Sequence, residues 1–397
     1  MKDLLVVGVG TMGRPYVDAA QRLGVRVRAV ESEALLAAGP ADPDVTYYPV
    51  PNGLDESWQQ GVTRAITERT PDGVLAFAEA HVLAGALAQE RLGLPGPSLH
   101  AAVISRNKAL QRTGFGAYGV PQPGFLLAPD LGSAREWMAE RLPVVVKPLT
   151  LGGSEGVELV TTPAEADEIV VRRGGEGKIL VEEAVQGPEY SWEALVHEGE
   201  VLFRNVTEKE TTAPPFFVEL SHRIGHRFTD PALAAQVDAL TSGVLRALNM
   251  RTGLVHLEFR VGVDGPVLME VAVRTPGDFL AEAVGLTYGF DLHEAVVRLA
   301  LGLPLGDRVP TEPVAYAATY FPTCAAGTIT AVDGVQEIAA HPDVVRIRLR
   351  KGPGDVVGRL TSSSQRLGHV LVRAGSPEER EDALKFVADR LRIEVTP

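Results

Sequence analysis

Two glutamates suited to a divalent cation lie close together in the second half of the chain. Glu258 and Glu270 fall on two apolar segments of residues 254–278, LVHLEFRVGVDGPVLMEVAVRTPGD. The segments alternate as β-strands do, and the intervening GVDGP is typical of a hairpin turn. A hairpin places the carboxylates side by side, where they repel each other unless a cation lies between them. The pattern predicts a Mg²⁺ site completed by phosphates, with an exposed surface hairpin as the alternative.

A lysine and a glycine-rich loop upstream are suited to holding phosphates. Residues 142–160, LPVVVKPLTLGGSEGVELV, predict a strand ending at Lys147, a loop and a second strand. The loop contains Gly152, Gly153 and Ser154. Its backbone N–H groups can close over phosphates without side-chain obstruction. Lys108, on a helix predicted within residues 101–128, supplies a second ammonium group, and for each lysine a solvated surface charge is the alternative.

A third segment, KILVEEAVQGPE, is suited to adenine and ribose. It predicts a strand that ends in Glu182, Glu183 and Val185, and Glu189 follows after a short loop. The main chain at such a strand end can pair with the adenine edge while Val185 packs on the ring. Glu189 is placed to accept hydrogen bonds from ribose hydroxyls.

The first hundred residues alternate strand and helix patterns, which predicts a parallel, doubly wound α/β unit. Gly8, Gly10 and Gly13 form G-x-G-x-x-G after the first strand, and Glu31 ends the second strand. This is the dinucleotide-binding fingerprint, so an NAD-dependent dehydrogenase is an alternative. Many α/β domains use the same glycines only for a tight turn, and no centre for hydride transfer follows downstream.

Composition narrows the function classes. The 397 residues suit two to four domains, and a net charge of −13 without a basic cluster argues against a nucleic-acid partner. Cys324 is the single cysteine, which excludes internal disulfides and cysteine-based metal clusters. No apolar run reaches membrane-spanning length and the first strand follows Met1 directly, so we expect a cytoplasmic protein with no membrane partner.

The order of these elements resembles the ATP-grasp superfamily over nearly the whole chain. The elements are, in order, Lys108, Lys147, the glycine loop, VEEAV, GPE, Glu258, Glu270 and Arg274. Within the superfamily the chain resembles the carboxylate–amine ligases that make dipeptides, the L-amino-acid ligase and carnosine-synthase-like group. The resemblance implies that ATP converts the carboxylate of an amino acid or small acid into an acyl phosphate. An amine then attacks it, and ADP and phosphate are released.

The resemblance also implies an ATP-grasp fold, mixed α/β and α+β, in four parts. A Rossmann-like pre-ATP-grasp domain takes residues 1–104 and a lid with the first nucleotide-binding subdomain takes 105–185. The catalytic subdomain with the Mg²⁺ site takes 186–310, and an α+β region takes 311–397. Within the last part, residues 346–351, RIRLRK, predict a solvated edge strand. A homodimer is a further family expectation.

Roles carried over from the resemblance follow the motifs. Lys108 and Lys147 would contact the ATP phosphates, and Gly152, Gly153 and Ser154 would form the lid. Glu182, Glu183 and Val185 would contact adenine, and Glu189 would bind ribose. Glu258 and Glu270 would bind Mg²⁺ (or Mn²⁺), and Arg274 would stabilise the acyl phosphate and the tetrahedral intermediate. Ala272 stands where many members carry a metal-binding Asn, which leaves one or two metal ions open. His256 is expected to be structural, but it shares the face of Glu258, so a supporting role beside the metal is the alternative.

Candidate substrate residues lie outside these motifs. In residues 207–228 the resemblance assigns Glu219 to a substrate ammonium and His222 to a carboxylate or the transferring group, with a polar loop as the alternative. Glu79 follows a strand of the first unit, where ligands of open α/β sheets collect, although a helix cap is also possible. Asp278 is expected beside the acceptor pocket, where an acid suits a cationic or hydroxylated group.

Three other functions compete with the dipeptide-forming ligase. One is an ATP-grasp enzyme that activates bicarbonate or another small carboxylate, as in the biotin-carboxylase and purine-biosynthesis branches. The segment PPFFVELSH and the residues after Arg274 speak against it. The others are the dehydrogenase and a nucleotide-binding regulator without turnover, against which the intact pair of Glu258 and Glu270 counts.

Overall fold

The computed structural model describes residues 1–10, 12–39, 41–306 and 309–396. It begins with a parallel sheet of four strands in the order β3-β2-β1-β4. The elements are β1 (Asp3–Val7), α1 (Arg14–Arg22), β2 (Arg26–Ser32), α2 (Glu33–Ala38), β3 (Val45–Val50), α3 (Asp55–Glu68), β4 (Gly73–Ala76) and α4 (Val82–Leu92). Every helix in the described part of the chain is too short or too polar to cross a bilayer.

Helices cover both faces of this parallel sheet. Strand β1 is buried along its whole length, and its side chains point alternately to opposite faces. Leu4 and Val6 pack into a core that includes α1, whereas Leu5 and Val7 pack into one that includes α3 and α4. The predicted doubly wound unit is therefore confirmed.

The glycine turn after β1 binds its own acidic residue. Gly8 and Gly10 have φ of 72° and 47°, the left-handed region that favours glycine. The N–H groups of Val9 and Gly10 donate to Glu31 at 2.7 and 2.9 Å. The ring of His81 lies directly against Gly8. The glycines thus serve a strand–helix turn, and the acid that the dinucleotide motif assigns to ribose is already bound by that turn.

A small antiparallel sheet follows, with the order β5-β8-β6-β7. The elements are α5 (Leu99–Ser105), α6 (Lys108–Gly116), β5 (Phe125–Ala128), α7 (Leu131–Arg141), β6 (Val144–Lys147), β7 (Glu158–Val160), α8 (Pro163–Arg173) and β8 (Ile179–Glu183). The prediction of a single helix that carries Lys108 is wrong in one respect. Asn107 accepts from the N–H groups of Ala109 and Leu110, so it caps α6 and separates it from α5.

An eight-stranded antiparallel sheet forms the centre of the molecule, in the order β13-β12-β9-β10-β11-β14-β18-β16. Its elements up to residue 300 are β9 (Glu189–His197), β10 (Glu200–Thr211), β11 (Glu219–Ile224), α9 (Pro231–Leu248), β12 (Gly253–Gly262), β13 (Gly265–Ala272), α10 (Leu280–Tyr288) and α11 (Leu292–Ala300). Glu258 on β12 lies directly opposite Glu270 on β13. The predicted hairpin is confirmed, with the two glutamates as cross-strand partners.

The C-terminal residues extend this sheet and add a smaller one. They form β14 (Tyr316–Tyr320), β15 (Gly327–Asp333), α12 (Val335–Ala339), β16 (Val344–Leu349), β17 (Val356–Val357), a 3-10 turn (Ser363–Gln365), β18 (Gly368–Ala374), α13 (Pro377–Arg390) and β19 (Arg392–Thr396). Strand β16 is the outer strand of the large sheet, which confirms the edge strand predicted for RIRLRK. Strands β17, β15 and β19 form the smaller sheet.

Replacing Gly8 by alanine tests the contact between the glycine turn and His81. An added Cβ at Gly8 overlaps the imidazole ring, whereas Gly24, with a similar φ of 68°, has open space around it. We expect Gly24→Ala to lower the free energy of unfolding by about 1 kcal/mol and Gly8→Ala by about 2–4 kcal/mol. Urea unfolding measures both, and equal losses would contradict the overlap.

The partly buried His81 also predicts a loss of stability in acid. Burial lowers the pKa of its imidazole from 6.5 to about 4. The unfolded chain therefore binds this proton more tightly, so the stability from neutral His81 is complete above pH 6.5 and is lost as the pH falls toward 4. We expect a decrease of about 2–3 kcal/mol in the free energy of unfolding across that window. His81→Phe should decrease less in the same urea titrations; an unchanged pH dependence would contradict the assignment.

Candidate active site

The carboxylate of Glu258 is held by two cationic side chains. Nζ of Lys209 on β10 lies 2.5 Å from Oε1, and Nε2 of His256 lies 3.3 Å from the same oxygen. Burial favours the neutral acid, but the charge of Lys209 and the hydrogen bond from His256 hold the pKa of Glu258 well below its usual range. This carboxylate is therefore ionised and available as an oxygen ligand.

Glu270 is paired with a different lysine. Nζ of Lys108, at the start of α6, lies 3.0 Å from Oε1 of Glu270 and donates to the carbonyl of Leu151 at 2.5 Å. Lys108 thus joins the hairpin of β12 and β13 to the segment that leads into the glycine loop.

Lys147 is buried beside an acid of the neighbouring strand. Its Nζ lies 2.5 Å from Oε2 of Glu182 on β8, and Nε of Arg112 lies 2.6 Å from Oε1. Burial lowers the pKa of the Lys147 ammonium, and the negative charge of Glu182 opposes that effect. Burial raises the pKa of Glu182, but the charges of Lys147 and Arg112 outweigh it and lower the pKa overall. The Glu182 side chain therefore fixes Lys147. If adenine binds at this segment, it would contact the neighbouring main chain instead of the Glu182 side chain.

The glycine loop is docked on two other segments. Gly153 and Ser154 have φ of 64° and 59°, so the loop turns sharply there. The Ser154 hydroxyl donates to the carbonyl of Phe217, and the N–H of Ser363 donates to the carbonyl of Gly153, both at 3.0 Å. The loop thus closes against the β10–β11 connection and the C-terminal region.

The acid assigned to ribose has two basic partners. Oε2 of Glu189 accepts from Nε and Nη2 of Arg260 at 3.0 and 2.8 Å, and Nζ of Lys209 lies 3.2 Å from Oε1. Arg260 also donates to the carbonyl of Val185 at 3.2 Å, and its guanidinium lies 4.8 Å from the centre of the Phe217 ring. Arg260 therefore links the main chain at Val185 to Glu189.

Lys209 connects three carboxylates that the sequence placed in different subsites. Its side chain is 2% exposed and reaches Glu258, Glu189 and, at 3.4 Å, Glu219. Although burial favours the neutral amine, the charges of these three acids raise the pKa of Lys209 well above its ordinary value. Sequence reasoning missed Lys209, although it lies on the same buried face of β10 as Phe203, Asn205 and Thr207.

The substrate candidates are engaged by residues from the end of the chain. The Ser363 hydroxyl donates to Oε2 of Glu219 at 2.6 Å. Asp278 accepts two hydrogen bonds from Arg366 and lies 3.0 Å from Nε2 of His222. Burial raises the pKa of Asp278, but His222 and Arg366 lower it far more. Asp278 is therefore a carboxylate with both oxygens occupied. Sequence reasoning missed Ser363 and Arg366, which no local motif marks.

Arg274 meets the acid predicted at the end of the first sheet. Its Nε lies 3.2 Å from Oε2 of Glu79, and its Nη1 donates to the carbonyl of Thr275 at 2.9 Å. The pair joins the N-terminal unit to the residues that follow β13.

One cavity collects most of these residues. The predicted site residues that line it are Lys108, Lys147, Gly152, Gly153, Ser154, Glu182, Glu183, Val185, Glu189, Glu219, Glu258, Glu270 and Arg274. His256, Arg260, Phe217 and Met269 line it as well. Glu79, His222 and Asp278 lie outside the lining: Glu79 touches it through Arg274, and His222 is 1% exposed.

The donor set fits one divalent cation that also binds phosphates. Among the described residues no group of three or more His, Cys, Asp and Glu side chains is arranged to hold a metal by itself. Glu258 and Glu270 each have Oε1 engaged by a lysine, while Oε2 of each makes no hydrogen bond in that part of the chain. Two free carboxylate oxygens suit Mg²⁺, which takes its remaining ligands from phosphates and water.

Comparison with known families and structures agrees with this arrangement. The ATP-grasp N-terminal domain matches residues 17–96, the ATP-grasp domain matches 140–282, and the L-amino acid ligase C-terminal domain 2 matches 319–396. The crystal structure of L-amino acid ligase from Bacillus licheniformis has a TM-score of 0.83 at 24% identity, covering 100% of this chain and 99% of that one. The predicted ATP-grasp fold is therefore confirmed.

Two curated relatives are similar in sequence. Protein y4rH of Sinorhizobium fredii is 28% identical over 402 residues, which cover 99% of this chain and 83% of that protein. Carnosine synthase 1 of Gallus gallus is 28% identical over 339 residues, which cover 79% of this chain. The match spans 36% of that longer protein.

Removing the charge of Lys209 tests its role as the counter-ion of three acids. Lys209→Met leaves Glu189, Glu219 and Glu258 without their shared cation, and breaking a buried pair in this way costs about 3–5 kcal/mol of unfolding free energy. Mg²⁺ should restore part of that loss, because it supplies positive charge at Glu258. Urea unfolding with and without Mg²⁺ measures both effects. Exposed Lys178→Met is the control, and a wild-type midpoint for Lys209→Met would contradict the counter-ion role.

Proposed function

Because the chain belongs to the ATP-grasp superfamily of ligases, we propose that it is an ATP-dependent carboxylate–amine ligase. It would join an amino acid or small carboxylic acid to an amine through an acyl phosphate and release ADP and phosphate. The observation that carries the proposal is the single cavity in which the facing glutamates Glu258 and Glu270 meet Lys108 and Lys147.

Phosphoryl transfer to a carboxylate needs cations around the transferring group. A free carboxylate resists amines at neutral pH, so one of its oxygens must first become a leaving group. Lys108 and Lys147 would stabilise the charge on the phosphates, and Glu258 and Glu270 would hold Mg²⁺, which supplies further positive charge there. Both lysines are already ordered by acidic partners, so they would need little reorganisation when ATP binds beside them.

Protection of the acyl phosphate falls to the glycine loop. An acyl phosphate hydrolyses readily, so water must be excluded until the amine attacks. Gly152, Gly153 and Ser154 would cover the phosphates with backbone N–H groups, and the contacts of Ser154 with Phe217 and of Gly153 with Ser363 would hold that closed position.

The amine and the second substrate would bind beyond Arg274. Arg274 lines the cavity next to the hairpin and would stabilise the acyl phosphate and the tetrahedral intermediate. Glu219 would bind a substrate ammonium, with Lys209 and Ser363 fixing its carboxylate. Glu79, through Arg274, and the pair of Asp278 and His222 would border the substrate pocket.

Amino-acid substrates are the class that we propose. The L-amino acid ligase C-terminal domain matches the residues that supply Ser363 and Arg366, and carnosine synthase is among the relatives. We further propose the four domains 1–104, 105–185, 186–310 and 311–397, although the last two share one sheet. A homodimer remains part of the proposal, to be measured by light scattering.

A two-substrate assay tests the reaction. Incubation with ATP, Mg²⁺ and a pool of amino acids should release ADP and phosphate only when both a carboxylate and an amine are present. Mass spectrometry should detect the condensed product. Release of AMP, or ADP formation that depends on bicarbonate alone, would exclude the amino-acid ligase. A change in nicotinamide fluorescence on binding would instead support the dehydrogenase.

Glu270→Gln tests the proposed metal site on the hairpin of β12 and β13. A neutral amide is a much weaker Mg²⁺ ligand, so turnover should fall by about 100-fold or more while the fold is retained. ADP release and circular dichroism measure the two effects. Glu394→Gln, on the exposed side of β19, is the matched control and should keep wild-type turnover. Full activity of Glu270→Gln would make the hairpin purely structural.

A further inference from the structure

A buried acid on β9 lies beside the hairpin of β12 and β13 and outside the cavity. Glu193 on β9 is fully buried, and its carboxylate accepts from four side chains. The Ser191 hydroxyl and Nδ1 of His256 contact Oε1 at 2.7 and 3.0 Å. Nδ2 of Asn205 and the Thr207 hydroxyl contact Oε2 at 2.7 and 2.9 Å. Each oxygen thus has two donors, and the carboxylate is fixed in one orientation.

The imidazole of His256 connects this acid to the candidate metal ligand. His256 on β12 pairs in register with Glu193 on β9, and it lies on the same face of β12 as Glu258. Nδ1 contacts Glu193 and Nε2 contacts Glu258 at 3.3 Å. Because ionised carboxylates only accept hydrogen bonds, the ring donates from both nitrogens and its orientation is set from both sides.

The contact between His256 and Glu258 determines which oxygen of Glu258 is free to face the cavity. Oε1 receives Nε2 of His256 and Nζ of Lys209, which leaves Oε2 as the oxygen for a metal. A carboxylate that rotates freely would present either oxygen and lose order on binding a cation. In metal sites, replacing a side chain that fixes the orientation of a ligand typically weakens metal binding by about 10–100-fold.

We propose that His256 and Glu193 are positioning residues for the metal, which hold the carboxylate of Glu258 with Oε2 toward the ion bound to ATP. The inference rests on the proposed function, since it takes Glu258 as a ligand. A purely structural network, which would serve only to bind β9, β10 and β12 together through Glu193, is the competing explanation. The two explanations differ in which nitrogen of His256 matters.

Two amide substitutions separate the two nitrogens. The amide nitrogen of His256→Gln can take the place of Nε2 and keep the contact with Glu258. His256→Asn has a shorter side chain that reaches only the position of Nδ1 and keeps the contact with Glu193. Mn²⁺ binding, followed by electron paramagnetic resonance with a non-hydrolysable ATP analogue, reports on the metal without turnover.

We expect His256→Asn to weaken Mn²⁺ binding by about 10–100-fold and His256→Gln by about threefold or less. Affinity for the analogue without metal should stay within about twofold in both. Urea unfolding should rank the variants in the opposite order, with His256→Asn the more stable, because it keeps the buried contact to Glu193. Where a His256 variant does not fold, Glu193→Gln should weaken Mn²⁺ binding several-fold, because its amide nitrogen cannot accept from the donors that the carboxylate holds and the imidazole is then oriented less firmly.

Wild-type Mn²⁺ affinity in His256→Asn, or in Glu193→Gln, would overturn the positioning role and leave the ligase proposal intact. Mn²⁺ that does not bind the wild-type protein with the analogue would overturn both. Glu270→Gln, measured in parallel, separates these cases: it should lose the metal whether or not His256 positions Glu258.

Discussion

Repulsion between carboxylates in an apolar sheet is the constraint on which the site depends. The register of β12 and β13 places Glu258 directly opposite Glu270, and neither acid has a cationic partner within the hairpin other than His256. The missing charge comes from outside, from Lys209 on β10 and from Lys108 at the start of α6. The two acids of the hairpin therefore receive their counter-charges from two different parts of the molecule, the central sheet and the start of α6.

Pairing with an opposite charge from another element also explains how the charged side chains around Lys147 tolerate burial. Lys147, Arg112 and Glu182 form a compact group in which each charge has an opposite neighbour within hydrogen-bonding distance. Breaking such a group by removing one member is far more costly than its net contribution to stability suggests. Under the proposed function, ATP and a divalent cation would bring balanced charges into the cavity, with the phosphates near Lys108 and the cation at the free Oε2 of Glu270.

Local patterns sufficed for the parts of the site that lie within one hairpin or one strand. Alternation and turn composition predicted the facing glutamates and the strand that ends at Lys147, because both depend on neighbours in sequence. Lys209 escaped notice because its partners come from three other strands, which only the sheet order brings together. The helix break at Asn107 was misread for the opposite reason: one side-chain cap outweighed a continuous helical pattern.

The substrate end shows how far tertiary contacts change the meaning of a residue. From sequence, Asp278 suggested a free acid for a cationic group, yet both its oxygens are occupied by Arg366 and His222. Glu219 is likewise shared between Lys209 and Ser363. Because Ser363 begins the short turn before β18 and Arg366 follows that turn, the C-terminal region fixes the orientation of both acids. Under the proposed function, a substrate ammonium that reaches Glu219 would compete with the Ser363 hydroxyl, so changes in this distant segment would act on substrate binding.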